Sequence, residues 1–63
     1  MSEIKKSYKG KWIYWKWNDS STYSKSYVQD QIITDSGILL ELSDGLWHTE
    51  YPTRILVNDI IIL

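Results

Sequence analysis

The chain has 63 residues, a net charge of −1, no cysteine and one histidine, His48. Without cysteine and with a single histidine, it holds no disulfide framework, zinc finger, iron–sulfur cluster or redox motif. The core of so short a chain supplies only roughly 3–5 kcal/mol. Its four tryptophans and five tyrosines therefore predict either dense aromatic packing within one small domain or association with a second molecule.

The first predicted hairpin holds most of the aromatic residues. Residues 1–9 precede it and are expected to form either a flexible basic arm or an added edge strand. Strands are predicted at residues 12–17 and 22–27, on either side of a four-residue loop. Alternate side chains of a strand point to opposite faces. One face sets large side chains against small ones, which suits a core: Ile13, Trp15, Trp17, Thr22, Ser24 and Ser26. The other face interleaves four rings with two lysines: Trp12, Tyr14, Lys16, Tyr23, Lys25 and Tyr27.

The interleaved face is interpreted as a partner-binding surface. Four rings on one face form a large apolar patch for so small a chain, and Trp and Tyr are enriched at binding hot spots. The alternative is purely structural. In that case the rings and the lysine stems stabilise a weak hairpin through cross-strand and cation–π contacts of about 0.2–1 kcal/mol each.

The stretch YVQDQII, residues 27–33, leads into a turn predicted at TDSG. Its two faces do not separate cleanly, because Ile32 and Ile33 point to opposite sides and Asp30 lies across from Glu41. A β-bulge or a sharp bend of the strand resolves this conflict, and one is therefore predicted here.

The pair Asp44-Gly45, between alternating apolar residues, is the strongest hairpin signal of the chain and predicts a two-residue type I′ turn. Trp47 and Tyr51 are therefore expected in the core, and His48 is expected to pair with Glu41 in solvent. The predicted apolar pairs are Leu42–Trp47, Leu40–Thr49 and Ile38–Tyr51, and the polar-face pairs are Glu41–His48 and Leu39–Glu50.

Pro52 is expected to end that strand, because proline cannot donate to the ladder. Residues 53–59 are predicted to hold one helical turn, and residues 60–63 a closing strand that is buried on both sides. Over residues 10–63, three hairpin-linked strands, a one-turn break and a short last strand resemble the arrangement of SH3-like and Sm-like barrels. This resemblance concerns architecture and implies no activity. The expected fold is all-β: one small domain over residues 1–63, built as such a barrel or as a strongly bent antiparallel sheet of about five strands.

The charge is distributed unevenly. Residues 1–28 hold six lysines against two carboxylates, which gives +4, and residues 29–63 hold Arg54 against six carboxylates, which gives −5. This asymmetry indicates either a charged binding face or two ordinary solvated faces.

Location and origin are also expectations from composition. No apolar run opens the sequence, and the apolar segment near its end is too short to span a bilayer. We therefore expect a cytoplasmic protein with no membrane association. The absence of alanine and the single proline and arginine, beside nine isoleucines and six lysines, follow AT-rich codons, which indicates a low-GC bacterium, its phage or a mobile element.

Catalysis is not expected. An enzyme needs positioned acid–base or nucleophilic groups in a cleft, and the single histidine is predicted to face solvent. The three glycines are typical of turns and strand ends rather than of a phosphate-binding loop. So short a chain also lacks room for a pocket of several hundred Å³ beside a core. No catalytic residue, cofactor or bound metal is therefore predicted.

The sequence therefore predicts a small non-catalytic β-barrel that binds a protein partner, a second copy of itself, or both. Its concrete form is a phage or mobile-element inhibitor that occludes a host defence or metabolic protein in the host cytoplasm. The main alternative is a single-stranded nucleic-acid-binding protein that stacks bases on the same rings. The acidic chain and its single arginine disfavour that alternative. A small virion or ribosome-associated module and a carbohydrate-stacking surface are further alternatives.

Overall fold

Five antiparallel strands make up most of the described chain. The computed structural model describes residues 7–45 and 48–63. The strands are β1 (Trp12–Trp17), β2 (Ser24–Thr34), β3 (Gly37–Ser43), β4 (Thr53–Leu56) and β5 (Ile60–Ile62), with a 3₁₀ turn, Val57–Asp59, between β4 and β5. Their order across the sheet is β4-β3-β2-β1-β5. The predicted all-β class with about five strands is confirmed. The sheet is open, so the closed barrel is not.

The sheet is curved, because its two edge strands are close neighbours in the chain. Three residues separate β4 from β5, so the facing ends of these strands lie within about 14 Å of each other. The edges of a flat five-stranded sheet would be roughly 19 Å apart. The turn between them also ties β1 to β3. The main-chain oxygen of Asn58 accepts a hydrogen bond at 3.0 Å from Nδ2 of Asn18, which directly follows β1. The Asn58 side chain lies 3.4 Å from the position that a Cβ would take at Gly37, the first residue of β3.

The predicted bulge is present in β2. Val28 pairs with Leu42 and Asp30 pairs with Glu41, so Gln29 is the extra residue between them. Its side chain is 5% exposed and anchors the long connection between β3 and β4. Its Oε1 accepts from the Thr49 N–H at 2.9 Å, and its Nε2 donates to the Thr49 oxygen at 3.1 Å. The bulge therefore both bends the strand and fixes a loop.

The core follows the predicted inner face of the first hairpin. Ile13 pairs with Ser26 and Trp15 pairs with Ser24, in the predicted register. Trp17, which was expected in the core, is 46% exposed, because it is the last residue of β1 and lies at the margin of the core. Its ring packs edge-on against that of Trp15, with 5.5 Å between the ring centres. Seven buried apolar side chains form the core: Ile13, Trp15, Val28, Leu40, Leu42, Ile55 and Ile60.

The hairpin predicted at Asp44-Gly45 is wrong. A type I′ turn needs positive φ at both central residues, and Asp44 does not adopt it. β3 instead pairs with β4, which places Ile55 beside Leu40 and buries both side chains. The residues between these strands form a nine-residue connection, 44–52.

The predictions that depended on that hairpin fail with it. Tyr51 is 87% exposed rather than buried, because it belongs to the connection and not to a strand. Glu41 accepts a hydrogen bond from Nε of Arg54 at 2.8 Å, whereas the His48 ring lies against the main-chain oxygen of Gln29 at 3.2 Å. Trp47, the other expected core residue, lies outside the described residues.

The segment predicted as one helical turn, residues 53–59, divides into two elements. Thr53–Leu56 is strand β4, and only Val57–Asp59 is helical. The strand forms because Ile55 completes the core against β3. Across residues 7–45 and 48–63, no helix has the length and apolar character needed to cross a bilayer.

Replacing Gln29 by alanine is expected to release the connection from the sheet. The change removes two hydrogen bonds, each worth about 0.5–1.5 kcal/mol, so unfolding should require about 1–3 kcal/mol less. In amide hydrogen exchange, the Thr49 N–H should exchange faster relative to that of Leu40. Ser36→Ala, at an exposed turn position, is the control and should change neither quantity. Unaltered protection of Thr49 in Gln29→Ala would contradict the anchoring role.

Candidate binding surface

β1 and β2 together present the predicted surface on the side of the sheet away from the core. Trp12 pairs with Tyr27 and Tyr14 pairs with Lys25, as predicted. Since their neighbours Ile13 and Trp15 are buried, alternation turns these side chains outward. We call the surface carrying the six predicted residues the outer aromatic face: Trp12, Tyr14, Lys16, Tyr23, Lys25 and Tyr27.

The rings of the outer aromatic face are substantially exposed. Trp12 is 43% exposed, Tyr14 is 48% exposed and Tyr23, just before β2, is 39% exposed. Tyr27 and Lys16 are half-buried, and Lys25 is exposed. All six residues therefore retain accessible surface, and three large rings stand open to a partner.

Contacts within the face hold its rings in place. The Trp12 and Tyr27 rings lie 5.6 Å apart with a tilt of 59°. The Lys25 ammonium lies 5.2 Å from the centre of the Trp12 ring and 5.7 Å from that of Tyr14, a geometry worth about 0.5–1 kcal/mol at exposed sites. The cross-strand and cation–π contacts expected if the rings only stabilise the hairpin are thus present. They nevertheless leave about half of the Trp12 and Tyr14 surface uncovered.

Strand β5 extends the face by two apolar residues. Ile61 pairs with Lys16, and the Leu63 N–H donates to the Tyr14 oxygen at 2.8 Å, so both side chains lie on the outer side of the sheet. Ile61 is 42% exposed and Leu63 is 79% exposed. The prediction that residues 60–63 are buried on both sides is therefore wrong. An edge strand buries only the side chains that face the core, and the run IIIL gave no signal of an edge.

The outer aromatic face is positively charged. Its six residues and its β5 extension include Lys16 and Lys25 but no carboxylate side chain. Lys16 is held by the chain itself, since its Nζ donates to the Ser20 oxygen at 2.8 Å.

Two carboxylates of the acidic second half are already engaged within the chain. Glu41 is bound by Arg54, and Asp30 lies 3.5 Å from the Lys9 ammonium. The Asp30 carboxylate also accepts the Gln31 N–H at 2.8 Å. That hydrogen bond and, to a smaller degree, Lys9 hold the pKa of Asp30 below its ordinary value. These two carboxylates therefore already have partners.

A cavity lies between the end of β3, the start of β4 and the connection that joins them. It is open and has a volume of about 300 Å³, so the expectation that the chain has no room for a pocket of this size is wrong. His48 lines it, but the Nε2 of this residue lies against a main-chain oxygen. Among the described residues, no three acidic or histidine side chains form a group that could hold a metal ion. The lining residues are Leu42, Ser43, Asp44, Gly45, His48, Thr49, Tyr51 and Thr53.

Comparison with known proteins gives no match. No protein-family model, no curated protein and no solved structure matches the chain. The function proposed below accordingly rests on the geometry and charge of the outer aromatic face.

The scaffold under the face depends on one buried hydrogen bond, from the Trp15 indole N–H to Ser26 Oγ at 3.1 Å. Ser26→Ala leaves that donor buried and unpaired, so unfolding should require about 1–3 kcal/mol less. Ser24→Ala is the matched control, because Ser24 is the residue that pairs with Trp15 in the ladder but is exposed. Urea unfolding followed by tryptophan fluorescence measures both. Equal losses in the two variants would show that the bond contributes nothing.

Proposed function

We propose that the chain is a small non-catalytic protein-binding domain that docks on another protein through its outer aromatic face. The observation that carries this proposal is the exposure of Trp12 and Tyr14, which the strand pairing places on the same face as Ile61, while the other face of the sheet is closed by the core. Rings held in this way lose little conformational freedom on binding, which is why Trp and Tyr dominate binding hot spots.

The charge of the face supports an acidic partner surface. Lys16 and Lys25 lie among the rings without a neighbouring carboxylate on the face, and such charges guide orientation and encounter rate more than affinity. Two copies packed through this face would bring four lysines together. The face therefore favours a different protein as its partner.

The mechanism we propose is occlusion. A chain of this kind covers part of a partner and blocks access to it, as a phage or mobile-element inhibitor would cover a host defence or metabolic protein in the host cytoplasm. The codon-linked composition supports that origin. The strand order, the curvature and the 3₁₀ turn before β5 support a partly closed barrel of the SH3-like or Sm-like kind as the scaffold.

Replacing Trp12 and Tyr14 together by serine is expected to abolish binding while the fold is retained. Both rings are about half exposed, so their loss removes cross-strand contacts worth only about 0.2–1 kcal/mol each. Affinity capture from a low-GC bacterial lysate treated with nuclease, read by mass spectrometry, compares the variant with the parent chain. Circular dichroism checks the fold.

The matched control is Tyr51→Ser, which removes an aromatic ring that is 87% exposed but lies on the connection instead of the face. It should capture the same stoichiometric protein as the parent chain. Equal loss of capture in Tyr51→Ser, or undiminished capture by the double variant, would refute the proposal. Unfolding of the double variant would assign the rings to the core.

Single-stranded nucleic acid is the second candidate, because exposed rings interleaved with lysines are the arrangement that stacks bases. The position of Lys25 over Trp12 and Tyr14 weighs against it, since the ammonium covers ring surface on which a base would stack.

Fluorescence titration with a thymidine oligonucleotide at several salt concentrations separates the two candidates. A nucleic-acid binder loses affinity steeply, with a log–log slope of about −0.7 per phosphate neutralised. We expect no such binding, whereas tight, salt-sensitive quenching of the tryptophans would favour the second candidate over the first.

A further inference from the structure

The free edge of β5 presents a simple hydrogen-bonding pattern. The Leu63 N–H donates to Tyr14, and the Asp59 oxygen accepts from Asn18, so the odd-numbered residues of this segment face β1. The even-numbered residues, Ile60 and Ile62, therefore direct their main-chain groups away from β1. No further strand lies beyond β5 among the strands of residues 7–45 and 48–63.

The donor and acceptor on this edge are spaced symmetrically. The Ile60 N–H is already bonded to the Val57 oxygen, which leaves the Ile60 oxygen as an acceptor and the Ile62 N–H as a donor. The two lie one residue on either side of Ile61. A two-fold axis at Ile61 would bring each donor to the acceptor of an identical strand.

Two of the devices that usually keep edge strands apart, charged side chains and proline, are missing from β5. Natural edges carry charges or proline, and the opposite edge, β4, follows Pro52 and includes Arg54. β5 consists of three isoleucines. Exposed apolar side chains flank it on both sides of the sheet, with Ile61 at 42% on the outer side and Trp17 at 46% on the other.

We propose that a second copy of this chain binds along β5, antiparallel and related by a two-fold axis, so that Ile61 lies opposite Ile61 of the partner subunit. Two main-chain hydrogen bonds join the strands, each from the Ile62 N–H of one copy to the Ile60 oxygen of the other. No charged side chain of β5 opposes the approach. The pairing makes one continuous ten-stranded sheet and leaves both outer aromatic faces open.

A second copy fits this edge better than a foreign strand, because the donor–acceptor pair is complementary to itself and the flanking side chains are uncharged. The contact is small. Interfaces of less than about 1,200 Å² are weak and transient, so the dimer should form progressively with concentration. Ile61 also extends the outer aromatic face, but the pairing rests on the main-chain groups of Ile60 and Ile62, whereas binding through the face is tested at Trp12 and Tyr14, so either proposal can fail without the other.

Sedimentation equilibrium from low concentration to about 1 mM, which detects a dissociation constant in the millimolar range, tests the pairing. The average mass of the parent chain should rise from 7.5 kDa toward twice that value and no further. Ile61→Lys and Ile61→Glu should each stay at the monomer mass, since like charges face each other across the axis. An equimolar mixture of the two variants should recover the dimer mass, because opposite charges then meet.

The control is Ile33→Lys, which places the same charge at a position 78% exposed near the turn between β2 and β3. It should associate like the parent chain. A measurement without any variant is amide exchange of the parent chain at low and high concentration. The Ile62 N–H should exchange several-fold more slowly at high concentration.

Several outcomes would overturn the inference. The parent chain could stay at the monomer mass, or it could form assemblies larger than two copies. Ile61→Lys could leave the association unchanged, or the two charge variants, both folded, could fail to recover the dimer when mixed. If the charge variants unfold, amide exchange of the parent chain decides. An Ile62 N–H that exchanges at the same rate at low and high protein concentration also overturns the inference.

Discussion

The structure depends on one irregularity, the extra residue that Gln29 inserts into β2. A chain this short has one core, and a single flat sheet cannot enclose it. The bulge bends the longest strand between Val28 and Asp30, so that its two halves contribute to a curved sheet around the same core. Gln29 has a second role, because its buried side-chain amide also binds the main-chain N–H and oxygen of Thr49. Among its described residues, 44, 45 and 48–52, the connection is held to β2 at this bulge, by Thr49 and by the His48 ring.

The core lies on one side of the sheet, and no element of residues 7–45 and 48–63 covers the other side of β1. The inner residues Ile13 and Trp15 are buried, and alternation then forces Trp12 and Tyr14 outward. Aromatic residues at these two positions add cross-strand contacts worth about 0.2–1 kcal/mol each, and polar residues would also be compatible with the fold. The exposure of the rings is therefore a property that the fold permits and does not require, which is the physical reason to propose a function for them.

Local alternation and cross-strand matching allowed the first hairpin and the bulge to be predicted. The faces of β1 are distinct, so only one register hides Trp15 and exposes Tyr14. The mixed faces of residues 27–33 indicated an irregularity in β2, although the bulge at Gln29 leaves Asp30 opposite Glu41. The Asp44-Gly45 signal failed because it is local, whereas the partner of β3 is decided by burial. Ile55, eleven residues beyond Asp44, covers Leu40, and no turn propensity encodes that competition. The exposure of Ile61 was missed for a related reason, since whether a strand is central or at an edge depends on the topology of the whole sheet.

Lys25 partly covers the exposed rings of the outer aromatic face. Its ammonium lies over both Trp12 and Tyr14, so the apolar patch is partly covered by a charge while the chain is alone. That contact is worth only about 0.5–1 kcal/mol, and a carboxylate on a partner can replace it, because the ammonium has three donors and a flexible stem. The same residue that covers the rings in the free chain would then bind the partner at their margin. The interactions that stabilise the hairpin and those that recognise an acidic surface are thus compatible, and the choice between a structural and a binding role for these rings is not exclusive.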